Sequence, residues 1–253
     1  MYFLIFILGT CFGSFFNLFF TRREIKEDFI FKASYCLNCN KKLKFWNMIP
    51  IYSYIKLKGR CAYCKTKLPL DLLIFEITYG LIFLVSFFYY GLSVNFIIRA
   101  LELSILFLVS YCDFKTTYIY SMDIIFLIIL QILFMILNHG ELLQSLKFAL
   151  IISFIFLIII ILTRQMGLGD MQLAFVSGLF ANSYMDLLKI FTLSFVSGAI
   201  FAIFLIIFYK KGLKTQMPFG PFIAIAILFQ LMMWGFYELF IYLFKNWILI
   251  YKV

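Results

Sequence analysis

Histidine occurs once in this sequence of 253 residues, proline four times and acidic side chains twelve times. Each shortage excludes something. The single histidine, His139, leaves no pair of imidazoles for a helical zinc-protease site, and a serine–histidine hydrolase would have to use that one side chain, which lies beside Gly140 in a predicted loop. No G-x-S-x-G occurs, and neither phosphate-binding glycine motif, G-x-x-x-x-G-K or G-x-G-x-x-G, is present. Charged residues are also scarce, at 13%, against 65% hydrophobic residues and a mean hydropathy of +1.04. That composition excludes a soluble globular domain and predicts an all-α polytopic membrane protein. With so little proline, its helices should run mostly unbroken.

Apolar runs long enough to cross a bilayer are what the chain has most of. The first is "MYFLIFILGTCFGSFFNLFF", residues 1–20, followed rather than preceded by Arg22 and Arg23. A cleaved signal peptide has the reverse order, so this run reads as a retained helix with its N-terminus outside. Further runs lie near 72–90, 93–111, 119–138, 143–162, 170–184, 187–209 and 219–244, making about eight transmembrane helices. Alternating sides from the first helix places 21–71, 112–118, 163–169 and 210–218 in the cytoplasm, and these segments carry 17 of the 22 lysines and arginines. The asymmetry supports the orientation and explains the formal charge of +10 by contact with the lipid bilayer, without nucleic acid.

The one polar stretch, 21–71, contains four of the six cysteines. "CLNC" (Cys36, Cys39) and "CAYC" (Cys61, Cys64) have the paired spacing that presents four thiolates to a tetrahedral Zn²⁺. The alternatives are two disulfides or free thiols, and a cytoplasmic location disfavours disulfides. Four thiolates leave no open position for water, so the predicted metal is structural. Cys11 and Cys112 read as small packing residues in or beside spans.

Acids at the spans are Glu76, Glu102, Asp113, Asp123, Asp170 and Glu238. Two stand out. Asp113 ends the third span, and Asp170, in "GLGDMQL", begins the sixth; the topology puts both at the cytoplasmic face. Two such carboxylates and a water can divide general-base and general-acid work. The helix ends suggest which does which: Asp170 ionised at a helix N-terminus, Asp113 protonated near a C-terminus. Gly167 and Gly169 are predicted to permit unusual φ and a close approach of substrate backbone. A polar contact between helices, or an ion path, is the alternative use of the pair.

At this point the sequence resembles a known family, the type IV prepilin peptidases, which are membrane aspartic proteases with a G-x-G-D motif. The resemblance is carried by "GSFFN" (13–17), the two cysteine pairs with "NMIPIYSYIKLKGRC" (47–61), Glu76 with Gly80, Asp113, "GLGDMQL" (167–173) and "PFGP" (218–221), in that order. Three positions depart from the family: Leu37 where C-P-x-C is common, Gln172 where a lysine is usual, and no proline at 114–122. The resemblance implies that 1–20 is the first transmembrane helix, 21–71 a zinc-binding segment associated with methyl transfer, and 72–253 the peptidase domain. It implies cleavage of the short basic leader of type IV prepilin or pseudopilin precursors at the cytoplasmic face of the bacterial inner membrane, with Asp113 and Asp170 catalytic. It also implies N-methylation of the new N-terminal residue, often Phe, from S-adenosylmethionine, with Glu76 as a supporting residue. The readings that stand against it are a peptidase without methyl transfer, a transporter, and a non-catalytic zinc-bearing assembly protein.

Overall fold

The long apolar runs fold as helices. In the computed structural model, which describes residues 1–25, 34–164, 166–209 and 217–232, these are α1 (Tyr2–Glu24), the short α2 (Tyr52–Lys56), α3 (Leu70–Tyr90), α4 (Val94–Thr116), α5 (Ser121–Leu137), α6 (Leu142–Thr163), α7 (Leu168–Leu179), α8 (Tyr184–Tyr209) and α9 (Gly220–Met232). Among the described residues there is no strand, only two isolated antiparallel bridges. The chain divides into two compact units, Met1–Ala100 and Leu101–Val253.

In the first unit α1 packs along α3 through small residues. A Cβ added at Gly9 would lie 2.9 Å from Gly80 Cα, and one at Gly13 would lie 2.8 Å from Glu76 Cα. The G-x-x-x-G spacing of residues 9 and 13 puts both on one face of α1, so the two backbones touch. Between lipid-embedded helices such close packing, rather than expulsion of water, supplies the attraction. Phe16, Phe75 and Tyr79 stack beside it, with ring centroids 5.1 Å apart for Phe16 and Tyr79.

In the second unit the core gathers around α7. Leu173, Ala174 and Val176 are wholly buried, against Leu127 of α5, Ile152 and Phe156 of α6, Ile190 of α8 and Ile223 of α9. Gly178 of α7 lies directly on Ala149 of α6, where any side chain would collide with backbone. The carbonyls that a helix leaves unpaired at its C-terminus find side chains here. Gln131 of α5 donates to Leu179 O at 3.0 Å, and Gln144 of α6 donates to Asn182 O just beyond, at 2.8 Å.

Five described helices, α1, α3, α4, α6 and α8, are long and apolar enough to cross a membrane. This is a membrane protein, but the eight crossings expected from the sequence are not all met at spanning length. The run near 170–184 forms α7, of 12 residues, or about 18 Å at 1.5 Å per residue, which is short of a hydrocarbon core of roughly 30 Å. Most of its apolar side chains beyond Leu168 face protein, and an apolar run looks the same in sequence whether lipid or protein covers it. The run near 119–138 forms α5, of 17 residues. The run expected to reach 244 is described only to Met232, and Glu238 lies outside the described residues.

Candidate active site

The two singled-out aspartates are both buried in the second unit. Asp113 is 5% exposed in the last turn of α4, and Asp170 is 8% exposed in the first turn of α7. They interact electrostatically with each other. Each accepts one backbone N–H on Oδ2: Gly220 donates to Asp113 at 2.7 Å and Gly167 to Asp170 at 3.1 Å. The Oδ1 atom of each has no hydrogen-bond partner among the described residues.

The bond from Gly167 is half of a capping box, because a glycine N-cap has no side chain to return the bond. The bond from Gly220 comes from the first residue of α9. Asp113 therefore faces the N-terminus of α9 as well as lying near the C-terminus of its own helix. Both acids meet a helix N-terminus, so the helix-end argument that separated an ionised Asp170 from a protonated Asp113 does not distinguish them.

The glycines act differently from expectation. Gly167 has extended backbone at φ −85°, and neither it nor Gly169 is at positive φ. Gly169 is small because Ile119 sits over it: a Cβ there would lie 2.9 Å from Ile119 Cβ. At Gly167 the space stays open, the nearest atom to an added Cβ being Asp170 Oδ2 at 3.9 Å. Gly220 is a partner of Asp113 that sequence reasoning missed. A Cβ there would lie 2.8 Å from Asp113 Oδ2. Gly220 lies in the motif "PFGP", which no spacing rule links to an aspartate 107 residues earlier. Gln172, at the family's usual lysine position, meets Ser121 of α5, whose hydroxyl lies 3.3 Å from its Oε1.

Glu102 and Asp123 are buried, in α4 and in the first turn of α5. Glu76 belongs to the first unit, 2% exposed on α3, where its Oε2 accepts the Ile51 N–H at 2.6 Å and its carboxylate also bonds Ser14. His139 is an exposed loop residue at φ 52°.

The four paired cysteines converge in the first unit. All are free thiols, and their sulfurs lie within 4.8 Å of one another, with Cys36 and Cys64 Sγ 3.8 Å apart. A tetrahedron with metal–sulfur bonds of about 2.3 Å has edges of roughly 3.8 Å, so the cluster has the size to hold one metal ion such as zinc. Two similar knuckles build it. In each, the N–H of the residue four past the first cysteine returns to that cysteine's carbonyl, at 2.8 Å for Asn40 and 3.1 Å for Lys65, and both of those residues take positive φ. A bridge closes each knuckle, Tyr35 with Lys42 and Arg60 with Lys67. The hydroxyl and backbone of Thr66 stabilise the Cys64 thiolate and bring its pKa down to about 5, which suits a metal ligand.

Comparison with known proteins matches residues 7–90 to the bacterial peptidase A24 N-terminal domain and residues 100–205 to the type IV leader peptidase family. The junction of the two matches falls at the division between the two compact units. A prepilin leader peptidase/N-methyltransferase of Pseudomonas putida is 29% identical over 79% of this chain and 71% of its own length. Its namesake in Legionella pneumophila is 24% identical over 85% of this chain and 76% of its own. The one from Bacillus subtilis is 24% identical over 87% and 90%. No solved structure matches.

Proposed function

The chain belongs to the type IV leader peptidase family, and on that premise we propose that it cuts the basic leader from type IV prepilin-like precursors, with Asp113 and Asp170 as the catalytic pair, and then N-methylates the residue exposed. The observation that carries the peptidase reading is the arrangement of the two buried acids. Each is fixed through Oδ2 by a backbone N–H, and each keeps Oδ1 open.

With one proton shared by the pair, the ionised carboxylate takes a proton from water as its oxygen adds to the scissile carbonyl. The protonated carboxyl hydrogen-bonds the carbonyl oxygen and then gives its proton to the leaving amine as the C–N bond breaks. Which aspartate begins ionised belongs to the pair as a unit. The open space at Gly167 admits a substrate backbone beside Asp170. The substrate's apolar helix, docking sideways in the bilayer, supplies most of its binding, since the basic segment 21–71 does not attract a basic leader.

Cleavage takes place at the cytoplasmic face of the bacterial inner membrane, with the N-terminus outside. The bias of lysine and arginine towards one set of loops supports this orientation. Zinc on Cys36, Cys39, Cys61 and Cys64 is a structural ion that folds the polar segment; exposed Phe45 and Trp46 beside it suit contact with the membrane interface. For the second reaction S-adenosylmethionine supplies the methyl group. The new α-amine attacks the methyl carbon, the C–S bond breaks with its electrons going to sulfur, and the methylated ammonium releases one proton.

The test is cleavage of a model prepilin, with Gly before the mature Phe, by membranes carrying the wild type, Asp113→Asn or Asp170→Asn. Cleavage by the wild type alone, with all three proteins expressed and holding metal, is the expected result. Cleavage at the wild-type rate by either variant would make that aspartate structural.

A further inference from the structure

The first unit contains a cavity of about 560 Å³ between the ends of α1 and α3 and the cysteine segment. Small-molecule sites usually span roughly 300–1,000 Å³, mostly apolar with a few placed polar groups. Leu18, Met48, Leu57 and Leu72 supply apolar wall here. Beside the small Ser53, three polar groups on its lining are largely buried: Glu76 and Arg22, each 2% exposed, and Asn17 at 8%.

These three are not explained by packing alone. The Asn17 side-chain amide has no hydrogen-bond partner among the described residues and opens onto the cavity, where it is free to bond a ligand. Glu76 is anchored on one side by the Ile51 N–H at 2.6 Å. Ile51 stands at φ 61°, a region that a β-branched residue seldom adopts, so the carboxylate holds in place a strained corner that lies behind the lining. The Arg22 guanidinium lies over the Tyr35 ring, 5.9 Å from its centroid.

An anion, a cation and an unpaired amide around an apolar slot describe a particular ligand chemistry. S-adenosylmethionine carries a sulfonium and an α-ammonium, an α-carboxylate, and a flat apolar base. We propose that this cavity binds the methyl donor, with Glu76 beside its cationic centres, Arg22 at its carboxylate and the Asn17 amide hydrogen-bonded to it. This rests on the methyl-transfer reading above and adds the place and the residues. Glu76 then has two jobs, holding the Ile51 corner and neutralising a cation, and they can be separated. Glutamine keeps an oxygen for the Ile51 N–H and lacks the charge.

The experiment measures equilibrium binding of S-adenosylmethionine and, separately, of uncharged-sulfur S-adenosylhomocysteine to the full-length, metal-loaded protein in detergent. Methyl transfer to a cleaved pilin is assayed alongside. Asn17→Leu should abolish binding of both ligands. Glu76→Gln should weaken S-adenosylmethionine by about tenfold or more, as expected for loss of a charged partner, while S-adenosylhomocysteine changes much less. Metal content and melting temperature show that each variant is folded; if Asn17→Leu is not, the change in preference between the two ligands in Glu76→Gln decides alone. If the wild type binds and transfers methyl but folded variants bind both ligands as tightly as the wild type does, the donor sits elsewhere and only this proposal falls. If the wild type neither binds the donor nor methylates pilin, the methyl-transfer reading fails and takes this site with it.

Discussion

The two units hold their reactive groups by opposite means. In the first, four sulfurs are brought together by turns, with Asn40 and Lys65 at positive φ, and the polar segment that carries them has little apolar core of its own. With the proposed zinc in place, such a site makes its ion part of the fold. In the second, two carboxylates are placed by helix ends inside a packed core, each fixed by a backbone N–H. Nothing in that arrangement calls for an ion. The difference teaches that one chain can place its chemistry by metal or by packing, and that the two should fail under different insults.

The sharpest break on the packed side is loss of either carboxylate. Asp113→Asn or Asp170→Asn should lower leader cleavage by about 10²–10⁴-fold, the usual worth of general acid–base catalysis, in a membrane cleavage assay with methyl-donor binding unchanged. Next is Gly220→Ala. Its new Cβ would fall 2.8 Å from Asp113 Oδ2 and push the carboxylate aside. A misplacement near 1 Å costs about 100-fold, so cleavage rate should drop by that order with the melting temperature nearly constant.

On the metal side, Cys36→Ser or chelation should remove the bound metal, measured by elemental analysis. Methyl transfer should then fall at least tenfold more than cleavage, the excess reflecting about 1.4 kcal/mol of selective loss; an equal loss of both would erase the contrast between the units. Gly13→Leu, which forces α1 from α3, should destabilise the first unit by about 1–3 kcal/mol in a denaturation measurement. The smallest effect is Lys65→Gly, which relieves a positive φ of 60°. It should leave the metal in place and raise the melting temperature slightly, for a gain of at most about 1 kcal/mol.

Much of this was legible in the sequence because it depends on local pattern. Apolar runs give helices, C-x2-C spacing gives a four-sulfur cluster, and two aspartates in motif order give a pair. What was not legible depends on which distant segments touch. α7 read as a crossing helix because Leu173 and Val176 look the same whether lipid or protein covers them. Gly220 stood out only as part of "PFGP", since only the fold brings its N–H to Asp113. Gly167 and Gly169 read as positions of unusual φ, a backbone conformation they do not adopt. Asn17 stood out only as the last residue of "GSFFN", and only the cavity shows what lies beside it.

The shortness of α7 has a mechanical consequence. Long apolar helices tilt or stretch their surroundings when bilayer thickness changes. α7 is enclosed by its neighbours and tied to α5 at both ends, by Ser121 to Gln172 and by Gln131 to Leu179. Asp170 therefore keeps its depth by reference to α5 and not to the lipid, so the proposed catalytic pair is buffered against membranes of different thickness.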